Sequence, residues 1–219
     1  MGLIAIGDIH GCAQTLDAML ERLDPSADDH LVFVGDYVDR GPDSRAVIER
    51  LLELREEVRC TFLRGNHEAL MLSYLNGENY ALWQANGASS TLRSYTNGRR
   101  QVHIPDAHEQ FVRNAERYYE TDDFFFVHAG LKPQCSIREN LERFNDDEVL
   151  LWERDHLEAP HLAWEKPVVC GHTPQPTPIN RDRLLAIDTG CVYNMHPNLG
   201  RLTAVHLPER EFVTVDYVG

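Results

Sequence analysis

Short apolar runs alternate with amphipathic segments along the first seventy residues of the chain. Residues 3–6 and 31–34 are apolar runs of strand length, residues 58–63 are predicted as a third strand, and each leads into a polar segment that contains glycine. Between these runs, apolar residues recur at helical spacing after Cys12 and again after Asp43, where Pro42 and Asp43 are typical of a helix start. This β-α-β-α-β order predicts parallel strands joined by crossover helices.

The rest of the chain divides into a helical middle and a strand-rich end. Helical periodicity dominates residues 68–117, with turn signals at Gly87 and at Asn97-Gly98, and a stripe of Phe111, Ala115 and Tyr118 extends it. Strands are predicted at residues 124–127, 168–170, 184–187, 202–207 and 212–215, the last two as a hairpin, and a short helix at residues 147–152. We expect one domain that spans residues 1–219.

The composition is that of a globular protein, with 42% apolar and 26% charged residues. No run approaches the roughly 20 apolar residues that a membrane-spanning helix needs, and the N-terminal segment lacks the features of a signal peptide. The five cysteines are odd in number and none has C-x-x-C spacing, which argues against a disulfide framework and a thiolate zinc site. A reducing, cytoplasmic location is therefore expected.

The chain is strongly acidic, with 21 Lys and Arg residues, 35 Asp and Glu residues and a formal net charge of −14. Nucleic acids and anionic membrane surfaces are not expected as partners, because binding to their phosphates requires basic patches. A smaller phosphate-containing substrate remains compatible with this charge if bound divalent metals and a few arginines make the local potential positive. The sequence does not indicate an oligomeric state.

Five polar clusters follow the apolar strands, and each supplies an oxygen or imidazole ligand. They are Gly7-Asp8-Ile9-His10-Gly11, Gly35-Asp36-Tyr37-Val38-Asp39-Arg40-Gly41, Gly65-Asn66-His67-Glu68, His128-Ala129-Gly130 and Gly171-His172-Thr173. Because ligands bind beyond the carboxyl ends of strands in open α/β sheets, we expect these clusters to meet. Their Asp, Asn and His ligands suit manganese, iron or zinc better than calcium. They exceed what one tetrahedral ion needs, which predicts two ions that share a bridging carboxylate.

The order and spacing of these clusters resemble the metallophosphoesterase superfamily and, within it, the phosphoprotein phosphatase family of serine/threonine phosphatases. The pattern of that family is G-D-x-H-G, G-D-x-V-D-R-G, G-N-H-E, a histidine at a strand end, and G-H-T, and all five parts occur here between residues 7 and 173. The short chain is similar to compact bacterial and phage members. The resemblance implies an α/β fold, the calcineurin-like phosphoesterase β-sandwich of two mixed sheets flanked by helices.

The resemblance also implies a role for each matched residue. The ligands of the first metal would be Asp8, His10 and Asp36, and those of the second Asp36, Asn66, His128 and His172, with Asp36 as the bridge. His67 would be the general acid, oriented by Asp39. Arg40 would contact the phosphoryl oxygens, and Arg154, in a shorter motif, resembles the second phosphate-binding arginine. Arg64 is a weaker phosphate-site candidate, and Asp188 is interpreted as structural rather than as a ligand.

The function predicted from these residues is a metal-dependent phosphomonoester hydrolase, specifically a serine/threonine protein phosphatase. A hydroxide held by two divalent ions would attack phosphorus directly. Manganese is the favoured metal, with iron or zinc as alternatives, and the substrate would be a phosphorylated protein or a small phosphoester. The alternative is a dinucleoside polyphosphate hydrolase of the diadenosine tetraphosphate type, which uses the same scaffold.

Two residues favour the protein-phosphatase branch over this alternative. The dinucleotide hydrolases of this superfamily tend to lack the aspartate before the arginine of the second cluster and tend to carry G-N-H-D in the third, whereas this chain has Asp39-Arg40 and Glu68. A third possibility, a non-catalytic binding module on the same fold, is disfavoured because every ligand is present together with His67, Asp39 and Arg40.

Overall fold

The structure, a computed structural model, describes residues 2–96 and 101–219, so the turn signal at Asn97-Gly98 lies outside the described residues. The strands are β1 (Leu3–Ile6), β2 (His30–Phe33), β3 (Arg59–Phe62), β4 (Tyr118–Glu120), β5 (Phe125–Val127), β6 (Val168–Cys170), β7 (Ile179–Arg181), β8 (Leu184–Ala186), β9 (Arg201–Leu207) and β10 (Glu211–Asp216). The helices are α1 (Ala13–Leu23), α2 (Ser44–Leu54), α3 (Asn66–Leu75), α4 (Tyr80–Ala85), α5 (Ala88–Ser94), α6 (Asp106–Asn114), α7 (Ile137–Arg143), α8 (Asp147–Trp152) and α9 (Asp155–Glu158).

Two five-stranded mixed sheets form the framework of the molecule. In the first sheet the order is β10-β9-β1-β2-β3, with β1, β2 and β3 parallel and the β9–β10 hairpin antiparallel at one edge. In the second the order is β4-β5-β6-β8-β7, with β5, β6 and β8 parallel between antiparallel edge strands. The predicted fold, a sandwich of two mixed sheets flanked by helices, is confirmed.

The side-chain alternation of the strands divides the core into three layers. Ala5 and Val32 of the first sheet share an apolar cluster with Phe126, Val169 and Leu185 of the second, so this cluster lies between the sheets. The alternate residues of β1 and β2 belong to a cluster with α1 and α2, and those of β5, β6 and β8 to a cluster with α7 and α8. Each sheet is thus covered on both faces, which explains why β1 and the parallel strands of the second sheet are uninterrupted apolar runs rather than alternating ones.

The predicted helical stripe of Phe111, Ala115 and Tyr118 is wrong at its C-terminal end. Helix α6 stops at Asn114, where Ala115 turns to an extended conformation, and Tyr118 begins an edge strand instead of a further helical turn. The Tyr118 ring stacks on Phe125 of the neighbouring strand at 5.2 Å between centroids, so tertiary packing overrides the local spacing. Strand β7 and helices α7 and α9 were not predicted. Among the described residues, no helix has the length and apolar character needed to cross a bilayer.

The topology brings the polar clusters together, since each follows the carboxyl end of a parallel strand. In the first sheet, the clusters after β1, β2 and β3 carry Asp8, Asp36 and Asn66. In the second, His128 follows β5 directly and His172 lies two residues beyond β6. The candidate site therefore lies at one end of the sandwich, between the strand ends of the two sheets.

Candidate dinuclear metal centre

Asp36 occupies the middle of the candidate site and faces a histidine on each side. Its Oδ2 lies 3.4 Å from Nε2 of His10, and its Oδ1 lies 3.5 Å from Nε2 of His128. Each carboxylate oxygen thus belongs to a separate group of potential ligands, one with His10 and one with His128 and His172. This geometry fits a carboxylate that bridges two cations.

Around Asn66, three hydrogen-bond acceptor atoms of different residues lie close together. Nδ1 of His128 lies 2.9 Å from the Val34 carbonyl, which can only accept, so the ring proton is on Nδ1 and Nε2 keeps its lone pair. This Nε2 lies 3.0 Å from Oδ1 of Asn66 and close to Oδ1 of Asp36. Three atoms with lone pairs and no proton between them repel one another. A cation would relieve that repulsion, so this donor set fits a metal.

The group around His10 has the same design. Nδ1 of His10 donates to the Val38 carbonyl at 2.9 Å, which again leaves the Nε2 lone pair directed into the site. That nitrogen accepts a hydrogen bond from Arg40 at 2.7 Å, so a positive group already lies next to it. Asp8 is in neither group of mutually close ligand atoms, but it accepts the backbone N–H of His172 at 2.9 Å, which ties the first sheet to the second.

Buried carboxylates are concentrated at this site. Asp8, Asp36 and Asp188 are each at most 2% exposed. Burial, with repulsion from Asp188 and Asp36, raises the pKa of Asp8 well above its ordinary value, and burial raises the pKa of Asp188 to about 7. Burial opposes ionisation of Asp36 as well, but the surrounding imidazoles, led by His128, hold its pKa below its ordinary value. Such an excess of buried negative charge fits a site for divalent cations.

The three candidate ligand histidines are held in their neutral form. Burial lowers the pKa of His10 and of His128, and neighbouring imidazoles act in the same direction. Burial, followed by repulsion from His128, lowers the pKa of His172 to about 2. A neutral imidazole has a lone pair available at every pH near neutrality, which is what metal ligation requires.

His67 differs from these three histidines. Burial disfavours its charge, but attraction to Asp36 and the hydrogen bond to Asp39 outweigh that effect and raise the pKa of His67. Its Nδ1 lies 2.6 Å from Oδ2 of Asp39, whereas its buried Nε2 has no hydrogen-bond partner among the described residues. His67 lies within 4.8 Å of potential ligand atoms of His10 and Asp36, so distance alone does not separate it from the ligands. A protonated ring cannot bind a metal, and its free N–H suits a general acid.

Asp39 is held in place by residues of the helical middle region. The Trp83 indole N–H donates to its Oδ2 at 2.8 Å, and the Thr91 hydroxyl donates to its Oδ1 at 2.6 Å. Trp83 belongs to α4 and Thr91 to α5, and both are 0% exposed. Helices α4 and α5 therefore connect to His67 through Asp39, a role for residues 76–113 that the sequence did not reveal.

Glu68 holds the backbone of two site loops. Its carboxylate accepts the N–H groups of Asp36, Tyr37 and Gly65 at 2.8–2.9 Å, and its side chain is fully buried. Burial, with repulsion from Asp36, raises its pKa to about 7. The residue thereby fixes the backbone at Asp36 and at the start of α3.

The backbone of the site is strained at several of its functional residues. Among the described non-glycine residues, those in the left-handed region are His10, Asp36, Asp39, Arg40, His172, Asp24, Asn79 and Arg210, and the first five belong to the candidate site. This conformation is unfavourable for residues with a side chain and persists only where surrounding structure holds it. Gly41 shows the tightness of this packing, because a Cβ there would overlap the His10 carbonyl oxygen.

The predicted arginines occupy different places. Arg154 is exposed and donates to Nε2 of His172 from its Nε at 3.2 Å and its Nη2 at 3.1 Å, and Arg40 bonds His10 at the opposite end of the site. Arg64 points elsewhere and donates to the Arg113 carbonyl at 3.0 Å. The structure thus brings together all six predicted ligands with His67, Asp39, Arg40 and Arg154, and it leaves Arg64 outside the site.

Comparison with known proteins agrees with this geometry. Residues 1–200 match the model of the calcineurin-like phosphoesterase family. The chain belongs to this family. A crystal structure provisionally named a diadenosine tetraphosphatase superposes on the whole chain and on 94% of its own length, with a TM-score of 0.74 and 25% identity. In this family a centre of two divalent metals is the rule, which the clustered ligands of the phosphoesterase accommodate.

Two relatives carry names that specify a reaction. An asymmetrical bis(5'-nucleosyl)-tetraphosphatase PrpE from Oceanobacillus iheyensis is 28% identical, and the match covers 98% of this phosphoesterase and 92% of the relative. A symmetrical bis(5'-nucleosyl)-tetraphosphatase from Pseudomonas putida is 32% identical, with 72% and 52% covered. Such names denote hydrolases of a phosphoanhydride. The prediction of a phosphoric monoester hydrolase of the serine/threonine protein phosphatase type is therefore wrong.

The structure explains why the sequence criterion failed. The prediction relied on Asp39 and Glu68, and both side chains are 0% exposed. Asp39 orients His67, and Glu68 binds backbone N–H groups, so neither contacts the part of a substrate that distinguishes a phosphoprotein from a dinucleotide. The two residues hold the site in its conformation, and their identity does not distinguish one class of substrate from the other.

Proposed function

We propose that this phosphoesterase is a metal-dependent hydrolase of dinucleoside tetraphosphates that cleaves its substrate asymmetrically. The observation that carries the proposal is the match to the asymmetrical tetraphosphatase, which extends over 98% of this chain and 92% of the relative. The match to the symmetrical enzyme is less extensive and covers 52% of that protein. For diadenosine tetraphosphate, water would be added across one P–O–P linkage, which breaks to release AMP and ATP.

The proposed ligands divide between two ions. Asp8, His10 and Asp36 would hold one ion, and Asp36, Asn66, His128 and His172 the other; the proposed metal is manganese. When bound, the ions would lower the pKa of water and offset the charge of the polyphosphate. This is how a protein with a net charge of −14 would bind a polyanion: its buried carboxylates recruit cations that reverse the local potential.

Residues of the chain would supply the remaining steps. The guanidinium groups of Arg40 and Arg154 lie at the two ends of the centre and would bind phosphoryl oxygens, for which their planar geometry is suited. The free Nε2–H of protonated His67 would donate its proton to the bridging oxygen as the P–O bond breaks. Asp39 would keep that ring charged and oriented.

Substrate comparison on the manganese-loaded protein tests the proposal. We expect hydrolysis of diadenosine tetraphosphate at a kcat/KM at least about a hundredfold above that for a phosphoserine peptide, with AMP and ATP in equal amounts by anion-exchange chromatography. Two equivalents of ADP would contradict asymmetrical cleavage, and faster turnover of the phosphopeptide would contradict the substrate class. An Asp36→Asn variant is the matched control, because loss of the bridging charge should abolish both reactions.

A further inference from the structure

Two exposed aromatic side chains contact residues of the metal centre. Trp152 is 39% exposed at the end of α8, and its ring packs edge-to-face against His172, with 5.7 Å between centroids. Tyr193 is 36% exposed, and the Arg40 guanidinium carbon lies 5.8 Å from the centre of its ring. Singly exposed rings are common on protein surfaces, but these two both pack against residues of one polar site.

The two rings lie at opposite ends of the centre. Trp152 contacts His172, on the side of Asn66, whereas Tyr193 contacts Arg40, which bonds His10 on the other side of Asp36. Each ring therefore stands beside an arginine–histidine pair. A polyphosphate bound between the arginines would extend toward a ring at both of its ends.

The chemistry of the rings fits a nucleobase. A base has a flat π-face and stacks on aromatic side chains with little dependence on its identity. The substrate under the proposed function has one base at each end of its polyphosphate, and the centre has one exposed aromatic ring at each end. We propose that Trp152 and Tyr193 are two nucleobase-stacking sites that flank the metal centre. This inference rests on the proposed function, which it extends to the recognition of the substrate.

The two rings differ in how closely they contact the metal centre, and this difference indicates which base of the substrate stacks on which ring. Trp152 touches a candidate ligand histidine directly, whereas Tyr193 reaches its nearest candidate ligand only through Arg40. Asymmetrical cleavage leaves one phosphate between the cleaved linkage and one nucleoside, and three phosphates between that linkage and the other nucleoside. Trp152 is therefore the site of the nearer base, in the AMP half, and Tyr193 that of the more distant base, in the ATP half.

The binding test uses isothermal titration calorimetry of the manganese-loaded protein with a methylene-bridged, non-hydrolysable analogue of diadenosine tetraphosphate. Trp152→Ala and Tyr193→Ala should each weaken binding about tenfold, because each removes one stacked base. Trp152→Phe and Tyr193→Phe keep a ring and should bind within about twofold of wild type, which also shows that the positions tolerate substitution. Tyr80→Ala, which truncates a 43% exposed ring that packs on Tyr74, is the matched control and should bind normally.

Two further ligands separate the contribution of the bases from that of the phosphates. Inorganic tripolyphosphate, which has no base, should bind all variants equally. AMP should lose affinity in Trp152→Ala and keep it in Tyr193→Ala. Wild-type affinity for the analogue in either alanine variant, or an equal loss for tripolyphosphate, would overturn the inference, and an AMP affinity lost only in Tyr193→Ala would overturn the assignment of the bases.

If the proposed function is wrong but the stacking sites exist, the experiments give a different result. In that case the wild-type protein does not hydrolyse diadenosine tetraphosphate, while the calorimetric differences among the variants remain. The quenching of tryptophan fluorescence gives a second readout that is independent of turnover. Trp83 and Trp164 are buried, so quenching by a stacked base should come from Trp152 and should disappear in Trp152→Phe although binding persists.

Discussion

Nδ1 of His67 lies 2.6 Å from Oδ2 of Asp39, and both side chains are buried at the border of the metal centre. A short bond to a carboxylate favours the protonated ring and fixes its orientation, so that the second nitrogen points into the site. The relationship distinguishes His67 from the histidines that are proposed to bind metal, and it supplies the first prediction.

Asp39→Asn should shift the alkaline limit of activity to lower pH. The amide keeps the shape of the side chain but removes the charge that raises the pKa of His67, so less of the general acid is protonated at a given pH. We expect kcat for diadenosine tetraphosphate to fall at least about tenfold at pH 8 and less at pH 6, within the range of general-acid effects. A kcat–pH profile with an unchanged alkaline limb would show that His67 does not act as the acid.

Trp83→Phe should lower kcat through Asp39. The variant loses the indole N–H that donates to Asp39 at 2.8 Å and so loosens the support of His67. We expect a fall of about threefold to tenfold in kcat with KM changed less than twofold, in line with the loss of one hydrogen bond. Trp164→Phe also removes a buried indole donor, which bonds the Lys132 carbonyl at 3.2 Å away from the site, and should leave kcat unchanged. Equal effects of the two substitutions would indicate a general loss of stability.

Arg40→Ala and Arg154→Ala should each lower kcat/KM for the dinucleotide by about a hundredfold, the usual cost of removing a donor to transition-state charge. Lysine at either position should restore only part of the activity, because it lacks the planar pair of donors. Arg64→Ala is the control, since the Arg64 side chain bonds Arg113 outside the site. Steady-state kinetics test this prediction. A loss of kcat/KM in Arg64→Ala comparable to that in Arg154→Ala would contradict the assignment of Arg40 and Arg154 as the phosphate-binding arginines.

Metal content should follow the proposed division of ligands. After equilibration with manganese and removal of free metal, elemental analysis should give two ions per wild-type chain, about one for His128→Ala and close to none for Asp36→Ala. His161→Ala removes an exposed histidine remote from the centre and should retain both ions. Two ions in Asp36→Ala would refute its role as a bridge.

The buried carboxyl groups of Asp188 and Glu68 should destabilise the metal-free protein as pH rises from about 6.5 to 8. The pKa values of Asp188 and Glu68 are raised to about 7 in the folded protein, so the fold binds protons there that the unfolded chain has already released. The lowered pKa values of His10, His128 and His172 act in the opposite sense, because unfolded histidines with a pKa of about 6.5 are still half protonated at pH 6.5. An Asp188→Asn variant keeps these histidines and separates the two effects.

Thermal unfolding in a chelator measures this effect. The midpoint of the wild-type protein should fall about 2–3 °C further across the interval than that of Asp188→Asn, from roughly 0.8 kcal/mol lost at one group and 2–4 °C per kcal/mol for a protein of this size. Manganese should raise the midpoint more at pH 8 than at pH 6.5, since cations replace the lost protons. The same pH dependence of the midpoint in wild type and Asp188→Asn would contradict the raised pKa of Asp188.

The sequence predicted the parts of the site that are local along the chain. Asp8, Asp36, Asn66, His128 and His172 each follow an apolar strand, so strand topology alone is enough to bring them together. The hydrogen bonds that hold Asp39 could not be predicted from the sequence, because their donors Trp83 and Thr91 lie 44 and 52 residues away in regions without a recognisable motif.

The enzyme class was predicted incorrectly for a related reason. The residues used to choose between phosphoprotein and dinucleotide are buried, where Asp39 bonds His67 and Glu68 bonds backbone N–H groups. The side chains available for contact with the rest of a substrate, such as Trp152 and Tyr193, become visible only when exposure and neighbours are known.

The left-handed backbone at His10, Asp36 and His172 limits how this site can be transferred or evolve. Ligand identity alone does not reproduce it, because an isolated loop with the same side chains would relax to an ordinary conformation and separate the ligands. A designer who grafts the ligands onto another scaffold would also need the strand ends of both sheets, with Gly41 against the His10 carbonyl and Glu68 across the loops. The geometry of the centre thus depends on both sheets of the sandwich. New substrate specificities are expected to arise from substitutions at the exposed residues around the centre, because these leave the strained backbone unchanged.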